Sequence, residues 1–198
     1  MDFIKKEHLF VWFVLTVFIS ACQMNTNNPE IQIQTPEGNI TIELYQKEAP
    51  ITVANFLKYI EEDRLREATF YRVVTQDNQP DSDIKIEVIQ GGLYDDNHPD
   101  ALPPIEHENT GETGILHKDG VISMARYGPG SATVEFFICV GDQPSLDYNG
   151  RRNSDGHGFA AFGKVVEGID VVKKIQMLPA DGQYLNPRLK ILKVTKKP

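Results

Sequence analysis

From Val121 to Gly141 the chain reads VISMARYGPGSATVEFFICVG, and this stretch limits the possible folds more than any other. Val121 to Ala125 and Val134 to Val140 are short apolar runs, the second rich in β-branched and aromatic residues. The Gly-Pro-Gly at Gly128 to Gly130 breaks any regular element. Two such runs about one break predict two strands of one sheet. A strand turns successive side chains to opposite faces. Phe136, Ile138 and Val140 then share an apolar face that fits a core, and Glu135, Phe137 and Cys139 share the other. A carboxylate beside an aromatic ring is costly on that second face unless the face is wet or lines a site.

The rest of the chain repeats the strand signal. Ile31 to Thr35 and Asn39 to Tyr45 alternate apolar and polar residues about Pro36-Glu37-Gly38, a hairpin pattern that points Ile40, Ile42 and Leu44 inward. Further strands are predicted at Phe70 to Val74, Ile84 to Ile89, Phe159 to Val165 and Leu189 to Thr195. Gln90-Gly91-Gly92 reads as a strand end, and Thr75 to Asp83 and Asp95 to Pro104 read as loops. Two segments change period. Val53, Phe56, Leu57 and Ile60 fall on one face of a helix over Pro50 to Asp63, and Ile169, Val172 and Ile175 on one face over Gly168 to Leu178. Many short strands with two isolated helices predict a mainly β fold, a closed β-barrel capped by the two helices.

The chain of 198 residues has the length of one globular domain. Its net charge of −8 argues against a nucleic-acid partner, which would call for a basic face. Leu9 to Ile19 is a continuous apolar run after Lys5-Lys6, too short to span a bilayer comfortably and suited to a signal peptide. Ile19-Ser20-Ala21-Cys22 follows and resembles a bacterial lipobox. The resemblance implies cleavage before Cys22 and diacylglyceryl attachment to it. Gln23 after the cysteine implies an outer-membrane address in a host with two membranes. The expected organisation is a signal peptide over 1–21, a flexible tether over 22–30 and a folded domain over 31–198. Cys139, inside an apolar strand, reads as a packed residue rather than a reactive one. His98, His107, His117 and His157 show no metal-ligand spacing and read as surface or loop residues; no metal site is assigned. Asp147 to Gly150 lacks EF-hand spacing and reads as a solvated loop.

FYRVV at Phe70 to Val74, VIQGG at Val88 to Gly92, ISMA at Ile122 to Ala125, EFFIC at Glu135 to Cys139 and FGKVVEGIDVV at Phe162 to Val172 occur in this order. Together they resemble the cyclophilins, peptidyl-prolyl isomerases, and their bacterial members above all. The resemblance implies an eight-stranded antiparallel barrel with a helix at each end. It implies rotation about the bond preceding proline in unfolded or flexible polypeptides, a reaction that needs no nucleophile, metal or cofactor. Arg72 matches the family's catalytic arginine, and Phe137 the aromatic floor of its proline pocket. Val88, Leu146 and Phe159 match pocket-wall positions, and Gln90 a residue that hydrogen-bonds the peptide. The Ala125-Arg126 backbone lies where the family pairs with an extended substrate. Tyr71 stands where many members carry histidine, Glu135 where glutamine is usual, Ser145 in place of a tryptophan, and Glu87 or a neighbour where a pocket phenylalanine is common. Tyr71 and Glu135 form part of the binding rim on this reading, and Glu135 is expected to pair with Arg72 as an ion pair. The rival reading is a catalytically weak member that holds proline peptides as a chaperone or scaffold.

Overall fold

The computed structural model describes residues 28–95 and 97–197. The segment expected to be a signal peptide, Cys22 and most of the expected tether lie outside the described residues. β1 (Glu30–Thr35) and β2 (Gly38–Leu44) form the expected hairpin. Thr35 Oγ1 closes its turn by donating to Gly38 O at 2.9 Å and accepting from Glu37 N at 3.1 Å. Ile31, Ile33, Ile40, Ile42 and Leu44 are all buried. α1 (Pro50–Glu61) starts at a proline whose missing N–H costs nothing in a first turn. The Glu108 carboxylate caps it from a distance, accepting from Ile51 N at 3.1 Å and Thr52 N at 2.7 Å.

β3 (Thr69–Val74), β4 (Val88–Gly92), the one-turn α2 (Thr110–Thr113), β5 (Val121–Met124), β6 (Phe136–Cys139) and β7 (Ala160–Glu167) follow. The chain ends in α3 (Ile169–Gln176), β8 (Ala180–Asp181), β9 (Tyr184–Lys190) and β10 (Lys193–Lys196). All strands join one antiparallel sheet in the order β10-β1-β2-β7-β5-β6-β4-β3-β9-β8. β9 and β10 are successive parts of one segment, which pairs first with β3 and then with β1. Between them Ile191 N donates to Ala68 O at 3.0 Å and Leu192 N to Gln34 O at 2.8 Å, so both ends of the sheet meet on this segment. Inside the rolled sheet Phe136 meets Phe56 edge-on at 5.6 Å and Phe70 at 5.7 Å, and Phe56 meets Phe162 at 5.2 Å. α3 buries Val172 and Ile175, as its spacing predicts.

Three differences from the expected elements have local causes. The strand expected over Ile84 to Ile89 begins only at Val88. Before it, Gln79 occupies the place of a neighbouring strand: its Nε2 donates to Ile86 O at 2.8 Å and its Oε1 accepts from Ile86 N at 3.3 Å. At its other end that strand runs through Gly91 and Gly92 instead of stopping. The strand count is ten and not eight, because the last strand divides where it passes from β3 to β1 and the two-residue β8 pairs with β9. α2 is too short to show a period; Asn109 Oδ1 caps it through Gly111 N and Glu112 N, and Gly114, at φ 72°, ends it.

Phe136 is 1% exposed, and its ring joins the helix to the sheet. Phe136→Ala is expected to lower stability by about 3–5 kcal/mol, read from the shift in urea unfolding midpoint.

Candidate active site

Register lines up the site. Arg72 of β3 lies opposite Gln90 of β4, Gln90 opposite Phe137 of β6, and Phe137 opposite Ser123 of β5. These residues form one row across the sheet, on the face turned away from the main core. A bulge in β3 between Phe70 and Arg72 adds a residue, Tyr71, to that face. Phe70 and Val73 therefore point into the main core, while Tyr71 and Arg72, although adjacent, both reach Gln90.

Beneath the row lies a second apolar cluster of Val74, Ile86, Val88, Phe137, Cys139 and Leu146, with Ala125 and Phe159 against it. It forms the floor of an open cavity of about 520 Å³. Every residue expected at the site lines this cavity: Tyr71, Arg72, Val88, Gln90, Ala125, Arg126, Glu135, Phe137, Leu146 and Phe159. Phe159 stands at right angles to Phe137, with ring centroids 5.3 Å apart. Arg126 fixes that wall: its buried guanidinium lies 5.2 Å from the Phe159 centroid, is held by Asp155 at 2.7 Å, and donates from Nε to Gly158 O at 2.8 Å. The ion pair holds the Asp155 carboxyl down to about 2. Ile86 takes the place that Glu87 or a neighbour was expected to fill; Glu87 itself bonds Gln76.

The expected ion pair between Arg72 and Glu135 is replaced by a longer connection. Arg72 donates from Nη1 to Gln90 Oε1 at 2.9 Å, and from Nε and Nη2 to Gln183 Oε1 at 2.9 and 2.6 Å. Gln90 Nε2 donates to Tyr71 Oη at 2.7 Å, and Tyr71 Oη donates to Glu135 Oε2 at 2.5 Å. Glu135 Oε1 accepts from Tyr94 N at 2.9 Å. Gly92, at φ 148°, leaves room for this carboxylate; a Cβ there would stand 2.5 Å from it. Burial, then the Glu135 charge, pushes the Tyr71 phenol far above its ordinary pKa, so it remains a donor. Among the described residues the acceptors on the guanidinium are thus neutral amides, with no carboxylate in contact with it.

Gln183 was not among the expected residues. It arrives from the β8–β9 turn, where its backbone O accepts from Val73 N at 2.8 Å and its Nε2 donates to Asn78 O at 2.9 Å. A glutamine next to the single glycine of a short turn carries no local sign of this distant contact. His117 corrects a second expectation. It is not a surface residue but buried, with Nδ1 2.7 Å from Asp147 Oδ1 and Nε2 2.9 Å from Ser123 Oγ. Its ring stacks on Phe137 at 5.8 Å and 17°, which supports the pocket floor from behind. Asp147, read as part of a solvated loop, is engaged in this contact. Cys139 is packed as expected, and burial raises its thiol pKa well above the ordinary value.

An arginine beside an apolar pocket, on a rolled antiparallel sheet, is the arrangement on which the comparisons bear. Residues 30–196 match the family described as cyclophilin type peptidyl-prolyl cis-trans isomerase/CLD. The peptidyl-prolyl cis-trans isomerase of Acinetobacter baylyi is 35% identical over 153 residues, 77% of this chain and 74% of that protein. Peptidyl-prolyl cis-trans isomerase B of Escherichia coli is 33% identical over 147 residues, 74% and 83% of the two chains. The crystal structure of a cyclophilin type isomerase from Cryptosporidium parvum shares the fold at 18% identity, with a TM-score of 0.67 over 86% of this chain and 98% of that one. The chain belongs to the cyclophilin-type peptidyl-prolyl cis-trans isomerases, and its activity is the rotation of peptide bonds that precede proline.

Gln183→Ala removes an acceptor shared by two guanidinium donors. It is expected to lower kcat/KM about three- to thirtyfold, with KM changed less than kcat, in a peptide isomerisation assay.

Proposed function

We propose that Arg72 is the catalytic residue and that the Phe137 pocket holds the proline ring of flexible envelope proteins during rotation. The carrying observation is the Arg72 guanidinium, set beside the pocket and held, among the described residues, by neutral acceptors. The bond turns slowly because amide resonance is lost on the way, a barrier of roughly 18–20 kcal/mol. Catalysis requires tighter binding of the twisted amide than of the planar one. In the twisted state the proline nitrogen is pyramidal and accepts a hydrogen bond. A guanidinium has five N–H donors; among the described residues Gln90 and Gln183 engage three of them, and the other two are available to the peptide. Val88, Phe137, Leu146 and Phe159 grip the ring while the residue before it turns. A carboxylate paired directly with Arg72 would favour the binding module without catalysis. The contact of Glu135 with Tyr71 in place of Arg72 favours the enzyme.

The same proposal places the enzyme outside the cytoplasm on a lipid anchor at Cys22, on the periplasmic face of the outer membrane where the host has two membranes. Support comes from the apolar run Leu9 to Ile19 and the Ile19-Ser20-Ala21-Cys22 sequence that ends it. The folded sheet begins at Glu30, a few residues after Cys22, so the anchor would hold the domain close to the bilayer.

Arg72→Ala is expected to reduce kcat/KM about ten- to a thousandfold, a loss of order 1.4–4 kcal/mol. Arg72→Lys recovers little, since a point charge cannot reproduce the fork that Gln90 and Gln183 hold. Wild-type rates in Arg72→Ala would refute the role. For the anchor, Cys22→Ser is expected to abolish acylation, and mass spectrometry of the mature amino terminus reads the result; an unmodified Cys22 in the wild type rejects it.

A further inference from the structure

Among the described residues, the pocket has a second cation without a carboxylate partner. Arg152 lines the same cavity as Arg72. Its backbone N donates to Ser145 O at 3.0 Å, next to the pocket residue Leu146. Its Nη1 donates to Ser82 Oγ at 2.7 Å and Ile84 O at 2.6 Å, which ties the side chain to the loop before β4. Both acceptors are uncharged. Asp81 and Asp83 flank Ser82, yet among the described residues neither forms an ion pair with Arg152. Arg126 shows the contrast, since Asp155 neutralises it. Glu135, the carboxylate that lines the cavity, is turned to Tyr71 Oη and Tyr94 N.

Arg152 is partly buried, and burial together with the like charge of Arg72 lowers its pKa from the ordinary arginine value. The two cations therefore share one field, in a chain whose net charge is −8. Such a field concentrates anions at the pocket mouth. Only Nη1 of Arg152 is engaged by the described residues, so Nε and Nη2 stand ready for a bidentate carboxylate. From this geometry we propose that Arg152 is a carboxylate-binding residue that selects client segments with Asp or Glu next to the proline. This rests on the isomerase reading of the pocket: with proline over Phe137, the flanking residue lies within the same walls.

The test uses short peptides in matched pairs, Glu-Pro against Gln-Pro and Pro-Glu against Pro-Gln, with cis-trans exchange followed by NMR. The two pairs separate a carboxylate before the proline from one after it. In at least one pair the wild type is expected to show a kcat/KM about three- to tenfold higher for the acidic peptide, a ratio that falls as salt is raised. Arg152→Gln brings that ratio to one. Arg152→Lys, which keeps the charge without the fork, retains part of it. A ratio of one in both pairs for the wild type, or a ratio unchanged in Arg152→Gln, overturns the proposal and leaves the isomerase standing. Absence of turnover on all four peptides overturns both.

Discussion

The contact of Phe136 with Phe56 and Phe70 is the constraint on which the site depends. It locks β6 with Phe136 and Ile138 against the main core. Strand geometry then leaves Phe137 and Cys139 no choice but the opposite face, where they found the second cluster. The pocket floor is therefore the reverse side of the core, and it inherits the core's rigidity. His117 adds to this from behind, because its stacking on Phe137 is itself fixed by Asp147 and Ser123. Stacked by His117 and met at right angles by Phe159, the ring is a fixed platform, which differential binding of a twisted amide requires.

Tyr71 and Glu135 depart from the usual family residues, and they touch each other. Without Glu135 the buried Tyr71 hydroxyl would lose its acceptor. Together they end a hydrogen-bonded chain that starts at Arg72 and passes through Gln90. A carboxylate in direct contact would have drawn charge from the guanidinium. Placed two residues along the chain, it fixes the phenol and the Gln90 amide instead, while Arg72 keeps neutral partners.

The carboxyl-terminal segment has two roles at once. Ile191 and Leu192 bring the ends of the sheet together, and a few residues earlier the β8–β9 turn delivers Gln183 to Arg72. The orientation of the guanidinium is thus coupled to completion of the fold. The cations of the groove are likewise divided by tertiary contacts: Arg126 is absorbed by Asp155 into the wall, whereas among the described residues the Arg152 guanidinium meets a hydroxyl and a carbonyl.

The sequence by itself determined the mainly β architecture, because alternation in Ile31 to Tyr45 and Val134 to Val140 and the 3.6-residue period after Pro50 are local patterns set by burial of one face. The family motifs carried Arg72, Gln90 and Phe137 to one cavity, since each lies in a strand whose position the motif order specifies. Ile86 was within reach too, as it shares the parity of Val88. Only the tertiary structure decided the rest. The bulge at Tyr71 sets two adjacent side chains on one face, which strict alternation forbids. Gln79 replaces a strand edge through a side-chain amide, and Gln183 lies 111 positions from the arginine it orients. His117 looked like any loop histidine until Asp147, Ser123 and Phe137 closed around it. Gln79 with Ile86 and His117 with Ser123 apart, these contacts join residues distant in the chain, and the energies of all of them depend on register and burial, which no local period encodes.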